Sequence, residues 1–226
     1  MTGAGFLSAV ADWPRFLGVL SEGAIATVGL TIASSLAAFI FGGLIALMRE
    51  ARFPPLRWFA LAFLEVFRNV PVLTQLFILY FGLSRLGIQL PATVAVTLGF
   101  GLNGAAVCSE IFRGSIAAVD RGQREAAQAI GMSNGLIMLS IIAPQAIRIA
   151  LPALGNFCIG LLKHTSLASA AAAPELAYRA KLLVSETFRS TEIYFLAALI
   201  YFLLSLALAR LVQRTEKHFD PLARAA

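Results

Sequence analysis

Arg121-Gly122-Gln123-Arg124-Glu125-Ala126-Ala127-Gln128-Ala129-Ile130-Gly131-Met132 decides how often this chain crosses a bilayer. The run Ala126–Ile147 that overlaps it holds 22 residues without a charge, so a hydropathy window reads it as a span. Its residues argue otherwise. Gly131, Ser133, Asn134, Gly135 and Pro144 interrupt it, and Gln128 and Gln145 are polar. A span here would also reverse every later loop. We therefore expect two short helices near the membrane surface, Glu125–Ile130 and about Gly135–Leu139. A true span then runs from about Pro144 to Leu162, entered by Arg148 and Pro152. Gly131 is where the first short helix is expected to turn, because glycine alone takes left-handed φ without a steric cost.

Composition supports the membrane setting. The chain has 226 residues, 59% hydrophobic and 13% charged, with mean hydropathy +0.82. A soluble domain carries about 25% charged residues. The net charge of +6 raises nucleic-acid binding as a reading, but basic residues at the ends of membrane helices account for it, and no nucleic acid is expected. Cys108 and Cys158 lie in apolar stretches and read as small hydrophobes, not as a disulfide or metal pair.

Working outward, Ala24–Met48 is an uncharged run of 25 residues, enough to span. Its small residues (Gly29, Ala33, Gly42 and Gly43 among them) suit close helix packing in lipid. Arg49, Arg52 and Arg57 follow around Pro54-Pro55 and place that loop in the cytoplasm. Trp58–Leu83 is the second span; Pro71 should kink or break it, and Glu65 and Arg68 could pair on one helical face. An outer turn follows at Ser84-Arg85-Leu86-Gly87, and Leu86–Ser109 is the third span, ended by Glu110 and Arg113. After the fourth span, Pro174-Glu175 reads as the start of a short helix. Ile193–Ala209 is the last span, followed by Arg210, Arg214, Lys217 and Arg224. The expected fold is an all-α membrane protein of about five transmembrane helices, N-out and C-in. Residues 1–20 form an uncleaved interfacial segment, 21–215 the transmembrane domain with 120–152 as its surface-helix region, and 216–226 a cytoplasmic tail.

Several chemistries are missing from the sequence. No G-x-x-x-x-G-K-[ST] loop is present to cradle phosphates, and no H-E-x-x-H zinc motif. The histidines are His164 and His218, too few for a His-rich metal site. A membrane-embedded enzyme and a passive channel stay as alternatives, the channel without a visible charge ring or filter sequence.

Gly122-Gln123-x-Glu125-Ala126-Ala127-x3-Gly131-Met132, followed by Pro144-Gln145-Ala146, Arg148 and Leu151-Pro152, resembles the EAA motif of ABC-transporter permease subunits. Four further stretches resemble the branch that takes up polar amino acids, of the histidine and glutamine type. They are Glu65-x-Phe67-Arg68-Asn69-x-Pro71-Val72-Leu73-x-Gln75-Leu76, Glu110-Ile111-x-Arg113-Gly114, Leu161-Leu162-Lys163-x-Thr165-Ser166-Leu167 and Pro174-Glu175-Leu176. The resemblance covers about residues 20–215. It implies the permease fold of a type I ABC importer in a bacterial inner membrane, alternating between inward- and outward-facing states. It implies a second permease subunit, identical or paralogous, a cytoplasmic ABC ATPase dimer that holds ATP and Mg, and an extracytoplasmic solute-binding protein. The chain itself would need no cofactor or metal and would catalyse no reaction.

The resemblance makes the opening stretch a coupling helix, with Gly122, Arg124, Glu125, Ala126, Ala127 and Gly131 meeting the ATPase. Glu125 offers a charge, Ala126 and Ala127 a close approach, and Gly131 the turn. Ligand contact falls to the polar positions Gln75, Asn156, His164, Thr165 and Ser166; packing between helices is the other reading of Asn156 and Thr165. Phe157 stands where the family often carries an acidic residue or Gln, and His164 where it often carries Asp, which lowers the odds of a cationic ligand. It also leaves room for a non-binding half of a heterodimer. A small solute outside the amino acids, such as an opine-like compound, is the alternative ligand.

Overall fold

The computed structural model describes residues 12–219, and every regular element among them is helical. The outer parts of the two terminal segments, residues 1–11 and 220–226, lie outside the described residues. We number eight helices along the described chain. They are α1 (Trp13–Arg49), α2 (Pro54–Asn69), α3 (Val72–Arg85), α4 (Ala92–Ala117), α5 (Arg121–Ala129), α6 (Asn134–Ala171), α7 (Leu176–Thr187) and α8 (Ser190–Phe219). Four of them, α1, α4, α6 and α8, are long and apolar enough to cross a bilayer; α2 and α3 together make a fifth. This matches the expected count.

The helices differ from the expected spans in instructive ways. Helix α1 has 37 residues, about 55 Å at 1.5 Å per residue, which exceeds a hydrocarbon core of about 30 Å. Trp13–Leu20 is thus continuous with the first span, and it buries Phe16 and Leu20. At Pro71 the chain breaks as expected: α2 stops at Asn69, α3 starts at Val72, and the bend is 106°. The short helix expected at about Gly135–Leu139 is not separate. Asn134–Ile137 leads into a π-helical turn, Met138–Ile142, and on into Ala143–His164. The wider π turn carries the helix up to Pro144, which has no N–H to give to an α ladder. Pro152 lies inside the same helix.

Contacts divide the described chain into two compact units. One takes the chain up to Ser34, then Val72–Phe100 and Ile159–Ala207. Its core joins α1, α7 and α8 through Phe16, Leu20, Leu176, Leu183, Ile193 and Leu196. The other takes Ser35–Pro71, Gly101–Cys158 and the described residues from Leu208. There α1 and α4 pack through small residues. A Cβ on Gly42 would lie 2.8 Å from Cys108 Cβ, and one on Gly101 would lie 2.7 Å from Ala37 Cβ. Without a hydrophobic drive between helices in lipid, such close backbone approach is what holds them. Ala60 and Leu64 of α2 complete this core against Ile45 and Ala106.

In this second unit Glu110 gathers charge from three helices. Its carboxylate accepts from Arg49 Nη1 at 2.7 Å and from Arg113 Nη2 at 2.9 Å, and Arg68 Nη1 lies 3.6 Å away. The expected Glu65–Arg68 pair is replaced by this arrangement, and Glu65 accepts from Asn69 Nδ2 at 3.0 Å instead.

Candidate functional site

Helix α5 is built to be rigid at both ends. Asp120 caps it, its Oδ1 accepting from Gly122 N at 2.7 Å. A Cβ on residue 122 would meet that same oxygen at 2.8 Å, so Gly122 leaves room for the cap. At the other end Gly131 has φ +80°. Gly131 N donates to Gln128 O at 2.9 Å and Met132 N to Ala127 O at 3.1 Å. This is a Schellman closure, and it satisfies carbonyls the helix would otherwise leave open.

Apolar packing at one alanine fastens α5 to its own chain, beside two long side-chain hydrogen bonds, Gln128 Nε2 to Asn134 Oδ1 and Gln145 Nε2 to Gln123 Oε1, each 3.4 Å. Ala127 is buried among Val119, Ile137, Ile142 and Ala146. Gly122, Arg124, Glu125, Ala126 and Gly131 are exposed. Of the six residues expected to meet a partner, five therefore face outward, and Ala127 serves as the anchor. Ile130, an apolar side chain 78% exposed, joins the outward set. A pocket of about 410 Å³ opens beside the helix, lined in part by Asp120, Arg121, Arg124, Glu125 and Gln128, with Val119 and Ile142 among its apolar walls. Sequence reading missed Asp120 and Ile130. The signals were present: an aspartate one residue before the helix and an isoleucine next to its closing glycine.

The expected ligand contacts fall in both units. Asn156 lies in the second, exposed on α6, one residue after Gly155, which packs on Val212. Gln75, His164, Thr165 and Ser166 lie in the first. The α6 helix ends there in a tight 3₁₀ segment, Thr165–Ala171, which packs against Val72–Phe77 and so against the turn that carries Gln75. His164 is exposed and Ser166 half-buried, its Oγ donating to Lys163 O at 2.8 Å. Thr165 and Gln75 are buried. Thr165 Oγ1 donates to Leu162 O at 2.7 Å, which suits a packing role.

Behind that segment sits a polar cluster that the sequence did not disclose. Glu175, fully buried, caps α7: Oε1 accepts from Tyr178 N at 2.7 Å and Oε2 from Ala177 N at 2.9 Å. Tyr201 of α8 donates its hydroxyl to Oε2 at 2.6 Å. Thr27 of α1 accepts from Leu176 N at 3.2 Å. Burial pushes the Glu175 carboxyl above its ordinary pKa and outweighs these hydrogen bonds, which pull it down.

Comparison with known proteins agrees with this geometry. The family described as the inner membrane component of binding-protein-dependent transport systems matches residues 38–221. The probable amino-acid ABC transporter permease protein YckA of Bacillus subtilis (strain 168) is 42% identical over 175 residues, 77% of each chain. The probable glutamine ABC transporter permease protein GlnM of the same organism is 35% identical over 88% of this chain and 92% of its own. In a crystal structure of an amino acid ABC transporter with histidines, one chain superposes with a TM-score of 0.88 at 35% identity, over 92% of this chain and 97% of that one. This chain belongs to the family of inner membrane components of binding-protein-dependent transport systems and is an ABC-transporter permease with the type I importer fold.

Proposed function

We propose that this permease carries a polar amino acid or a close derivative inward, driven by an ATPase that docks on α5. The observation that supports this reading is the construction of α5. Both ends are closed, Ala127 is buried against the chain, and Arg124, Glu125, Ala126 and Ile130 are exposed. A short capped helix moves as a rigid body, and its exposed charges fit a partner surface of mixed sign.

ATP and Mg bind the separate ATPase dimer, and two permease subunits, identical or paralogous, form the membrane path. A binding protein delivers ligand from the opposite side. The charges favour N-out and C-in, because Arg49, Arg52 and Arg57, then Arg113, Arg121 and Arg124, then Arg210, Arg214 and Lys217 all fall on one side. His164 and Ser166, accessible in the first unit, are assigned ligand contact, with Thr165 and Gln75 in buried positions of that same unit; Asn156, exposed in the second unit, is assigned ligand contact on its own. The relatives named for amino acid and glutamine systems support the ligand class.

The test is purification of the tagged chain from native membranes, then reconstitution into proteoliposomes. The expected result is a co-purifying ABC ATPase and ATP-dependent uptake of a polar amino acid once the binding protein is added. Uptake without ATP, or an ATP-driven complex that imports none of the polar amino acids, overturns the reading.

A further inference from the structure

The stretch Glu65-Val66-Phe67-Arg68-Asn69 closes α2 and takes no part in the ligand contacts assigned above. It sets two charges inside a bent span, where a charge is costly unless it meets a partner or a water-filled cavity. Helix α4 fixes this end of α2 at two points. Pro71 has no N–H for Phe67 O, and Asn103 Nδ2 donates there at 2.9 Å. Seven residues on, and so on the same face of α4, Glu110 draws Arg68 Nη1 to 3.6 Å. Glu110 is already occupied: Arg49 Nη1 sits on Oε1 at 2.7 Å and Arg113 Nη2 on Oε2 at 2.9 Å. Three guanidinium groups thus share one carboxylate, which leaves two positive charges in excess. Arg68 is the least committed of them, too distant for a hydrogen bond and 57% exposed. Glu65 lies one turn back on the same face of α2 and is exposed. It accepts from Asn69 Nδ2 at 3.0 Å and forms no ion pair among the described residues. All of these residues belong to one compact unit.

We propose, resting on the amino acid cargo proposed above, that Glu65 and Arg68 form a further ligand site for an α-amino acid zwitterion: Arg68 takes the carboxylate and Glu65 the ammonium. Helical spacing would let the two residues close on each other. Arg68 leans to Glu110 and Glu65 to Asn69 instead, so a gap stays between opposite charges. An α-amino acid carries both of its charges on one carbon and fits such a gap. The guanidinium fork matches a carboxylate with two parallel N–H···O bonds, and Arg113 adds a second positive charge on the same node. Glu110, neutralised by Arg49 and Arg113, orients Arg68 without repelling the carboxylate. The site reads the part that all α-amino acids share and leaves the ligand's side chain to other positions.

The test uses the detergent-purified permease complex with its ATPase, free of nucleotide and of binding protein. The probe is whichever of radiolabelled L-glutamine, L-histidine, L-arginine and L-aspartate the reconstituted transporter imports with the highest kcat/KM. Its equilibrium binding is measured in competition with three unlabelled compounds. They are the free amino acid, its Nα-acetyl derivative, which lacks the ammonium, and its α-carboxamide, which lacks the carboxylate. The parent is expected to bind the free amino acid at least about tenfold tighter than either derivative, since each derivative loses a charge-assisted contact. Glu65→Gln should lose the preference over the acetyl derivative and keep the preference over the carboxamide. Arg68→Gln should do the reverse. Arg68→Lys, which keeps the charge, should hold both preferences within about threefold of the parent. A role only in folding or subunit contact moves neither preference, so loss of assembled complex with both preferences kept overturns the site. Anionic phospholipid retained by the parent and lost in Arg68→Gln, with the preferences unchanged, assigns Arg68 to a lipid headgroup and overturns it too. A parent that imports the probe yet shows no preference for the free amino acid overturns the site and leaves the cargo reading standing. A transporter that imports none of the four amino acids overturns the cargo reading, and this site with it.

Discussion

At Gly131 the backbone holds φ +80°, where an L side chain costs about 1–2 kcal/mol. Gly131→Val is thus expected to loosen the end of α5, and limited proteolysis should cut between α5 and α6 faster than in the parent. Gly104 is constrained by space instead. A Cβ there would lie 2.6 Å from Phe157 Cζ and 2.7 Å from Ala38 Cβ. Gly104→Val should cost about 1–3 kcal/mol through overpacking. Gly114 lies on the same helix with nothing within 4 Å of such a Cβ, and Gly114→Ala should gain up to about 1 kcal/mol from helix propensity. Thermal midpoints in one detergent compare the two; equal shifts would refute the packing account. Gly131 was legible because a missing Cβ is local chemistry. The constraint at Gly104 was not legible, since Phe157 and Ala38 are distant in sequence.

At the scale of the element, α5 depends on which alanine faces in. Ala126 and Ala127 are equivalent in a sequence reading, because consecutive alanines carry no amphipathic phase. The structure buries Ala127 and exposes Ala126. Ala127→Leu should therefore displace α5, lowering both thermal midpoint and ATPase co-purification. Ala126→Leu should leave the midpoint unchanged and weaken only the co-purification; a reversed order would refute the assignment. The Pro71 break was legible in the same way as Gly131, from a ring that removes an N–H. The separate helix at Gly135–Leu139 was an error of the same reasoning. Glycine and proline marked a boundary, but a π turn at Met138–Ile142 absorbed it. The charge node at Glu110 was beyond reach, since Arg49 lies 61 positions away and read as a topology signal.

For the whole molecule, the number of spans follows from apolar run lengths, and the side on which α5 lies follows from the arginines. Ala129→Cys, in a chain with Cys108→Ala and Cys158→Ala, should react with an impermeant maleimide in inside-out vesicles and not in right-side-out ones. Labelling only in right-side-out vesicles would reverse the proposed orientation. The transporter family was legible through the order of the motifs, whereas the Glu175–Tyr201–Thr27 cluster needed the fold to bring three distant helices together. The central claim is that α5 passes the motion of an ATPase to the membrane helices. The most direct test is the ratio of ligand imported to ATP hydrolysed in proteoliposomes, for Glu125→Arg against the parent. Reversing one interfacial charge typically costs several kcal/mol, so the account predicts that ATP hydrolysis persists while the import ratio falls at least about tenfold. An unchanged ratio, with hydrolysis and import both at parental levels, would contradict it.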